Sequence, residues 1–223
     1  MGIIVIDLAE GRSHRAAMRK KKRNRDSEAG INYSTAPVIA VDPGGTTGWS
    51  FMCVEPLALH DPQEMVLENI ITHQHGELSS TVGCNVAEGE DLCVADLYEF
   101  ISAWPQAAVV VEDFVIRSNN RSREFLSPVR ITAALKHLLW ADNRYIIRQT
   151  PADSKITASD DRLKSWGLYD KHGSLGHARD ADRHAITFLR KAKSNPKLRA
   201  MAWPHLFGEE GIYAVEDDGQ SWG

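Results

Sequence analysis

Short apolar runs, interrupted at regular intervals by glycine, proline and acidic residues, set the expected elements. Pro37 to Val41 and Gly48 to Val54 read as two strands joined through Asp42, Pro43, Gly44 and Gly45 by a tight turn. Glu68 to His75 reads as a third strand, which makes a meander, and Gly76 to Gly89 as a loop. From Asp91 to Ala103, Leu92, Ala95, Tyr98 and Ile101 recur every three positions and predict an amphipathic helix. The β-branched run Ala107 to Glu112 is the next strand. From Pro128 onward Ile131, Ala134, Leu135, Leu138 and Leu139 follow helical spacing. Tyr145 to Gln149 reads as a short strand, the polar stretch Pro151 to Gly176 as mostly loop, and His177 to Lys191 as a final helix. Strands first, then strand and helix in alternation, indicate an α/β fold: a mixed sheet with helices on its faces. No internal repeat is present.

Composition narrows this picture. The chain has 223 residues and no unbroken apolar stretch near the ~20 residues that a membrane span needs. The opening GIIVID is too short for a signal-peptide core. A cytoplasmic protein with no membrane partner is expected, with a basic N-terminal arm at 1–36, one domain at 37–192 and an acidic tail at 193–223. Cys53, Cys84 and Cys93 are odd in number and lack CxxC spacing, so neither a disulfide framework nor a zinc knuckle is expected. The net charge of −4 conceals an asymmetry: Arg12, Arg15, Arg19, Lys20, Lys21, Lys22, Arg23 and Arg25 form a run without an acid. Such a run suits a flexible arm near a phosphate backbone. A solvated tail has the same composition, so the run alone does not assign nucleic-acid binding.

Three acidic segments carry the candidate chemistry. Asp42 closes the first strand. Glu112 and Asp113 interrupt VVVEDFVI, where a buried carboxylate is costly unless something pairs with it. Side chains alternate along a strand, so only one of the two faces a site, and Glu112 is the choice. His177 and Asp180 lie three residues apart, on one face of the last helix. Asp182 is about 200° around that helix from Asp180 and is expected to be a surface acid. His184, one turn beyond Asp180, suits a satisfied core histidine or a hydrogen bond to a ligand. Taken singly, each acid has a plain reading: a strand-end Asp before Pro-Gly forms turns, and an Asp early in a helix favours the macrodipole. Only their combination in this order points to a metal centre.

The segments DPGGTTGW at Asp42 to Trp49, VVVED at Val109 to Asp113, QTPADSK at Gln149 to Lys155 and HARDADRHA at His177 to Ala185 resemble the ribonuclease H-like superfamily, within it the RuvC-type Holliday junction resolvases. The basic arm and divergent tail look like those of a phage-encoded member, which would act in the host cytoplasm. The resemblance spans roughly Pro37 to Lys191. It implies a ribonuclease H-like mixed five-stranded sheet flanked by helices. It also implies two divalent metal ions, Mg²⁺ or Mn²⁺, held by Asp42, Glu112, His177 and Asp180. His177 stands where many members carry an Asp, and the glycine turn is one residue shorter than in the cellular resolvases. Phe114 comes one place before the position at which members often carry an aromatic that helps to hold the junction open.

Two metals about 4 Å apart can activate a water and stabilise a leaving oxygen in phosphodiester hydrolysis. An imidazole among the ligands favours Mn²⁺ over Mg²⁺. For DNA contact, Arg117, Arg121 and Arg123 follow the Glu112 strand in a loop without acids, and Lys155 matches a family position near the scissile phosphate. Arg130, Lys136 and Arg148 are weaker candidates. The expected activity is metal-dependent cleavage of branched DNA, four-way junctions above all, by a homodimer, with the face Ile131 to Leu139 as one interface candidate. Three other readings are a broader flap and fork nuclease, an inactive nucleic-acid-binding module on the same fold, and a sugar-kinase or actin-type ATPase. The last needs two such domains.

Overall fold

The computed structural model describes residues 35–80, 86–114, 124–169 and 175–209. Its strands are β1 (Ala36–Asp42), β2 (Thr46–Val54), β3 (Ile70–Ser79), β4 (Ala108–Glu112) and β5 (Ile146–Gln149). Its helices are α1 (Pro56–His60), α2 (Val86–Ser102), α3 (Ser127–Ala141), α4 (Pro151–Thr157), α5 (Asp160–Ser165), α6 (Gly176–Ser194), α7 (Pro196–Ala202) and α8 (Pro204–Phe207). The five strands form one sheet in the order β3-β2-β1-β4-β5. β1, β2 and β3 pair antiparallel as the meander, while β4 and β5 join parallel to β1. This is the expected mixed sheet flanked by helices.

Both faces of the sheet are covered, which explains why β1 and β4 are apolar without alternation. Val38, Ala40, Met52, Val54 and Val110 pack with Ala185, Phe188 and Leu189 of α6 on one face. Ile39, Val41, Phe51, Val109 and Val111 pack with Leu97 and Ile101 of α2 and Ile131, Leu135 and Leu139 of α3 on the other. The apolar stripe of α3 considered as a dimer interface is therefore spent on the core. Parity then fixes the acids: Asp42 follows Val38 and Ala40, and Glu112 follows Ala108 and Val110, so both point to the α6 face. Val41 pairs with Val111, which sets the two carboxylates side by side at adjacent strand ends.

Several expectations need correction. β3 runs to Ser79, through the start of the stretch read as a loop, because it stays paired with β2 as far as Thr46. The stretch 151–176 contains α4 and α5, each too short to show helical periodicity. Pro151 opens α4, and the Ser159 hydroxyl caps α5 by accepting from Arg162 N–H. The domain also continues past residue 192. Trp203, between α7 and α8, is fully buried against Phe188, and its indole N–H donates to Pro37 O at 2.8 Å. Helices of seven and four residues hold too few apolar repeats to be read from sequence. Residues 210–223, with the arm at 1–34, lie outside the described residues. Cys53 and Cys93 are buried free thiols. Among the described residues no helix is long and apolar enough to cross a membrane.

Candidate metal centre

The centre forms where the C-terminal ends of β1 and β4 meet the first two turns of α6. Gly48 allows that meeting: a Cβ there would fall 2.0 Å from His177 O and 2.6 Å from Ala178 N. A side chain at 48 would push the start of α6 off the sheet. Glu77 of β3 holds the same helix end in place. Its carboxylate accepts from His177 N–H at 2.8 Å and from Ala178 N–H at 3.3 Å, meeting the positive end of the helix dipole.

All four candidate ligands converge on this corner. His177 Nδ1 lies 2.8 Å from Asp42 Oδ2. Glu112 Oε2 lies 2.7 Å from His184 Nε2, and the other ring nitrogen of His184 is 3.3 Å from the Gln149 side-chain amide. Asp180 pairs through Oδ1 with Arg183, whose guanidinium also reaches Asp160 and donates through Nε to Ala158 O at 3.0 Å. Asp42, Glu112 and Asp180 thus each use one oxygen, and the second has no hydrogen-bond partner among the described residues. Burial raises the Asp42 pKa above its ordinary value; the His177 hydrogen bond opposes this, and the neighbouring Glu112 and Asp180 charges add to it. His177 is raised in turn, chiefly by its bond to Asp42.

Three carboxylates with spare oxygens at a partly open corner, one of them destabilised as an anion, fit a hard divalent cation. Side-chain exposures of 9% for Asp42 and 49% for His177 place the acid at the bottom and the imidazole at the mouth. No family model matches the chain, and no curated protein matches it in sequence. Among the solved structures similar to it are "T. thermophilus RuvC in complex with Holliday junction substrate" (15% identity, TM-score 0.55, covering 72% of this chain and 96% of that one) and "Thermus thermophilus RuvC structure" (17%, 0.54, 71% and 96%).

The fold is RuvC-like. On this RuvC-like frame the other candidates fall unevenly. Lys155 is exposed on α4, after β5. Phe114 follows β4 and meets Phe125 edge-on at 5.3 Å. Arg117, Arg121 and Arg123 lie outside the described residues. Arg130 is held by Glu90 through Nε at 2.6 Å, which makes it part of the α2–α3 packing. Arg148 faces Asp113 at 3.3 Å, and Asp113 N–H donates to Gln149 O, so Asp113 points away from Glu112 as alternation required.

One expectation fails here. Asp182 is no surface acid: it is fully buried, bonded at 2.7 Å to both His73 Nε2 and His75 Nδ1. Glu77, His73 and His75 of β3 lie outside the three acidic segments that carry the candidate chemistry. Their signal is the alternation His73, His75, Glu77 along one strand, polar on the side that faces α6.

Proposed function

We propose that this protein is a metal-dependent endonuclease that cuts branched DNA, with Holliday junctions as its preferred substrate and paired nicks as its product. The observation that carries the reading is the convergence of Asp42, Glu112 and Asp180, each with an unengaged oxygen, beside an exposed His177. Likeness to structures of RuvC, one of them bound to a Holliday junction substrate, supports it at the level of fold.

Asp42, Glu112, Asp180 and His177 would hold the divalent ions, with Asp42 lying between Glu112 and the α6 residues as their shared ligand. Two such ions would supply an activated water and neutralise charge on the leaving oxygen. The protein's own part is positional. His184 fixes the Glu112 carboxylate, Arg183 fixes Asp180, and Glu77 fixes the helix end that carries His177. To act as a ligand through Nδ1, His177 would give up its bond to Asp42 and carry its one proton on Nε2. Otherwise His177 remains at the mouth to orient or deprotonate the water. An imidazole ligand favours Mn²⁺ over Mg²⁺. Lys155, Phe114 and the loop bearing Arg117, Arg121 and Arg123 serve as the DNA contacts, and two copies of the chain supply the two nicks.

Cleavage of a labelled four-way junction, with flap and linear duplex of matching sequence, in Mg²⁺ or Mn²⁺, tests this reading. Symmetric nicks on the junction are expected. Cutting flaps and forks equally well would make the protein a general branched-DNA nuclease, the second reading. No cutting of any substrate in either metal would overturn both.

A further inference from the structure

On the opposite side of α6 from Asp180, a second group of ligating atoms sits deep in the protein. His73 and His75 are two residues apart on β3, so both imidazoles face α6, and Asp182 descends between them. His73 Nε2, His75 Nδ1 and the Asp182 carboxylate oxygens lie within 4.8 Å of one another. Side-chain exposures are 2%, 2% and 0%. No substrate reaches such a place, so the cluster is not part of a cleavage site.

Next to it on β2 lies Ser50, directly opposite His75 in the strand pairing. Ser50 has the parity of Gly48 and Met52, which both face α6. It is fully buried, and its hydroxyl has no hydrogen-bond partner among the described residues. An orphaned hydroxyl normally costs free energy unless a water, an ion or another polar group meets it.

We propose that His73, His75 and Asp182 form a structural zinc site that fastens edge strand β3 to α6, with the Ser50 hydroxyl meeting the fourth coordination position directly or through a bound water. Two imidazoles and one carboxylate match the borderline character of Zn²⁺, whereas Mg²⁺ prefers oxygen ligands. The present 2.7 Å contacts between imidazole and carboxylate must open by roughly half an ångström to admit an ion with ligand bonds of about 2.0–2.2 Å. Zinc replaces the protons that otherwise hold the three side chains together. The consequence is mechanical. β3 also carries Glu77, which caps α6 beside His177, and α6 carries His177 and Asp180, so the zinc would set the spacing of the candidate metal centre without touching DNA. Its presence does not depend on whether the protein is a nuclease.

The test is metal content and stability of the full chain. Protein purified without chelator is expected to hold about one equivalent of zinc. The same stoichiometry is expected in Asp42→Asn, which separates this site from the carboxylate corner. Unfolding, removing metal with EDTA and refolding should lower Tm by roughly 5–10 °C, and refolding with Zn²⁺ should restore it. Refolding with Co²⁺ should give the intense visible absorption of a tetrahedral ion. His75→Gln should lose the zinc and the Tm response together. Should that variant fail to fold, the wild-type measurements decide alone: no bound zinc, no Zn²⁺-dependent Tm shift and no Co²⁺ spectrum would leave the cluster as a hydrogen-bonded clamp and overturn the proposal.

Discussion

Asp42 and Asp182 are both buried aspartates facing α6 or belonging to it, yet their charges are treated in opposite ways. Asp42 has one imidazole partner and two carboxylate neighbours, and its pKa is raised by burial more than His177 can offset. Asp182 is buried still more completely, which by itself raises its pKa, but His73 and His75 reverse that and bring it down to about 2. Burial therefore does not decide which aspartate is poised for chemistry. Partner charge does: in the metal-free protein His73 and His75 offset the charge of Asp182, whereas Asp42, crowded by Glu112 and Asp180, keeps a charge that its single imidazole does not offset.

Exchanging each for its neutral isostere should break the comparison most visibly. Asp42→Asn should abolish junction cleavage, by at least roughly a thousandfold, while its Tm in EDTA stays equal to or above wild type, because a strained charge has been removed. A fall in Tm comparable to the loss of activity would show Asp42 to be a turn-forming residue instead. Asp182→Asn should do the reverse. Breaking a buried ionic group costs about 3–5 kcal/mol, so thermal melting should drop by roughly 10 °C, with residual cleavage surviving at low temperature.

A smaller effect is expected where a neighbour merely orients a ligand. His184→Gln leaves Glu112 without its 2.7 Å partner and should reduce metal affinity or cleavage about 10- to 100-fold, partly recovered at high Mn²⁺. Loss that no metal concentration recovers would give His184 a role beyond positioning.

The smallest test is acid titration of the metal-free protein. Asp182 has a folded pKa of about 2, below its ordinary 3.8, so its contribution is fully present above about pH 4 and is lost as pH falls towards 2. Asp42, raised above 3.8, has the opposite sign: its cost is full above its folded pKa and disappears on acidification towards 3.8. In urea melts across pH 2–6, Asp182→Asn should flatten the loss at the acid end, and Asp42→Asn should remove a modest gain just above it. Identical profiles for the two variants would dissolve the distinction.

Much of this corner was legible because strands report their geometry simply. Period-two alternation carries Asp42 and Glu112 to one face as soon as the runs before them are read, and His177 with Asp180 follows from helical spacing. The same helical arithmetic misplaced Asp182. It put the residue about 200° from Asp180, which is correct, and inferred solvent there, which is not. From Ala181 to Leu189 every residue of α6 is buried, because the sheet lies under one side and the extended β3 with α1, α4 and α7 encloses the rest. A stretch of helix without a solvent face has no surface position to assign.

The sequence by itself determined the ends of β1 and β4 at Asp42 and Glu112, the order of the acidic segments and the alternation that brings these two acids together, since these depend on local periodicity along one chain segment. Only the tertiary structure decided that His73 and His75 close on Asp182, that Gly48 lets α6 touch the sheet, and that Trp203 seals the far end. Those outcomes depend on which elements face one another across more than a hundred residues of chain, as between His73 and Asp182 at a separation of 109, and no local pattern encodes that distance.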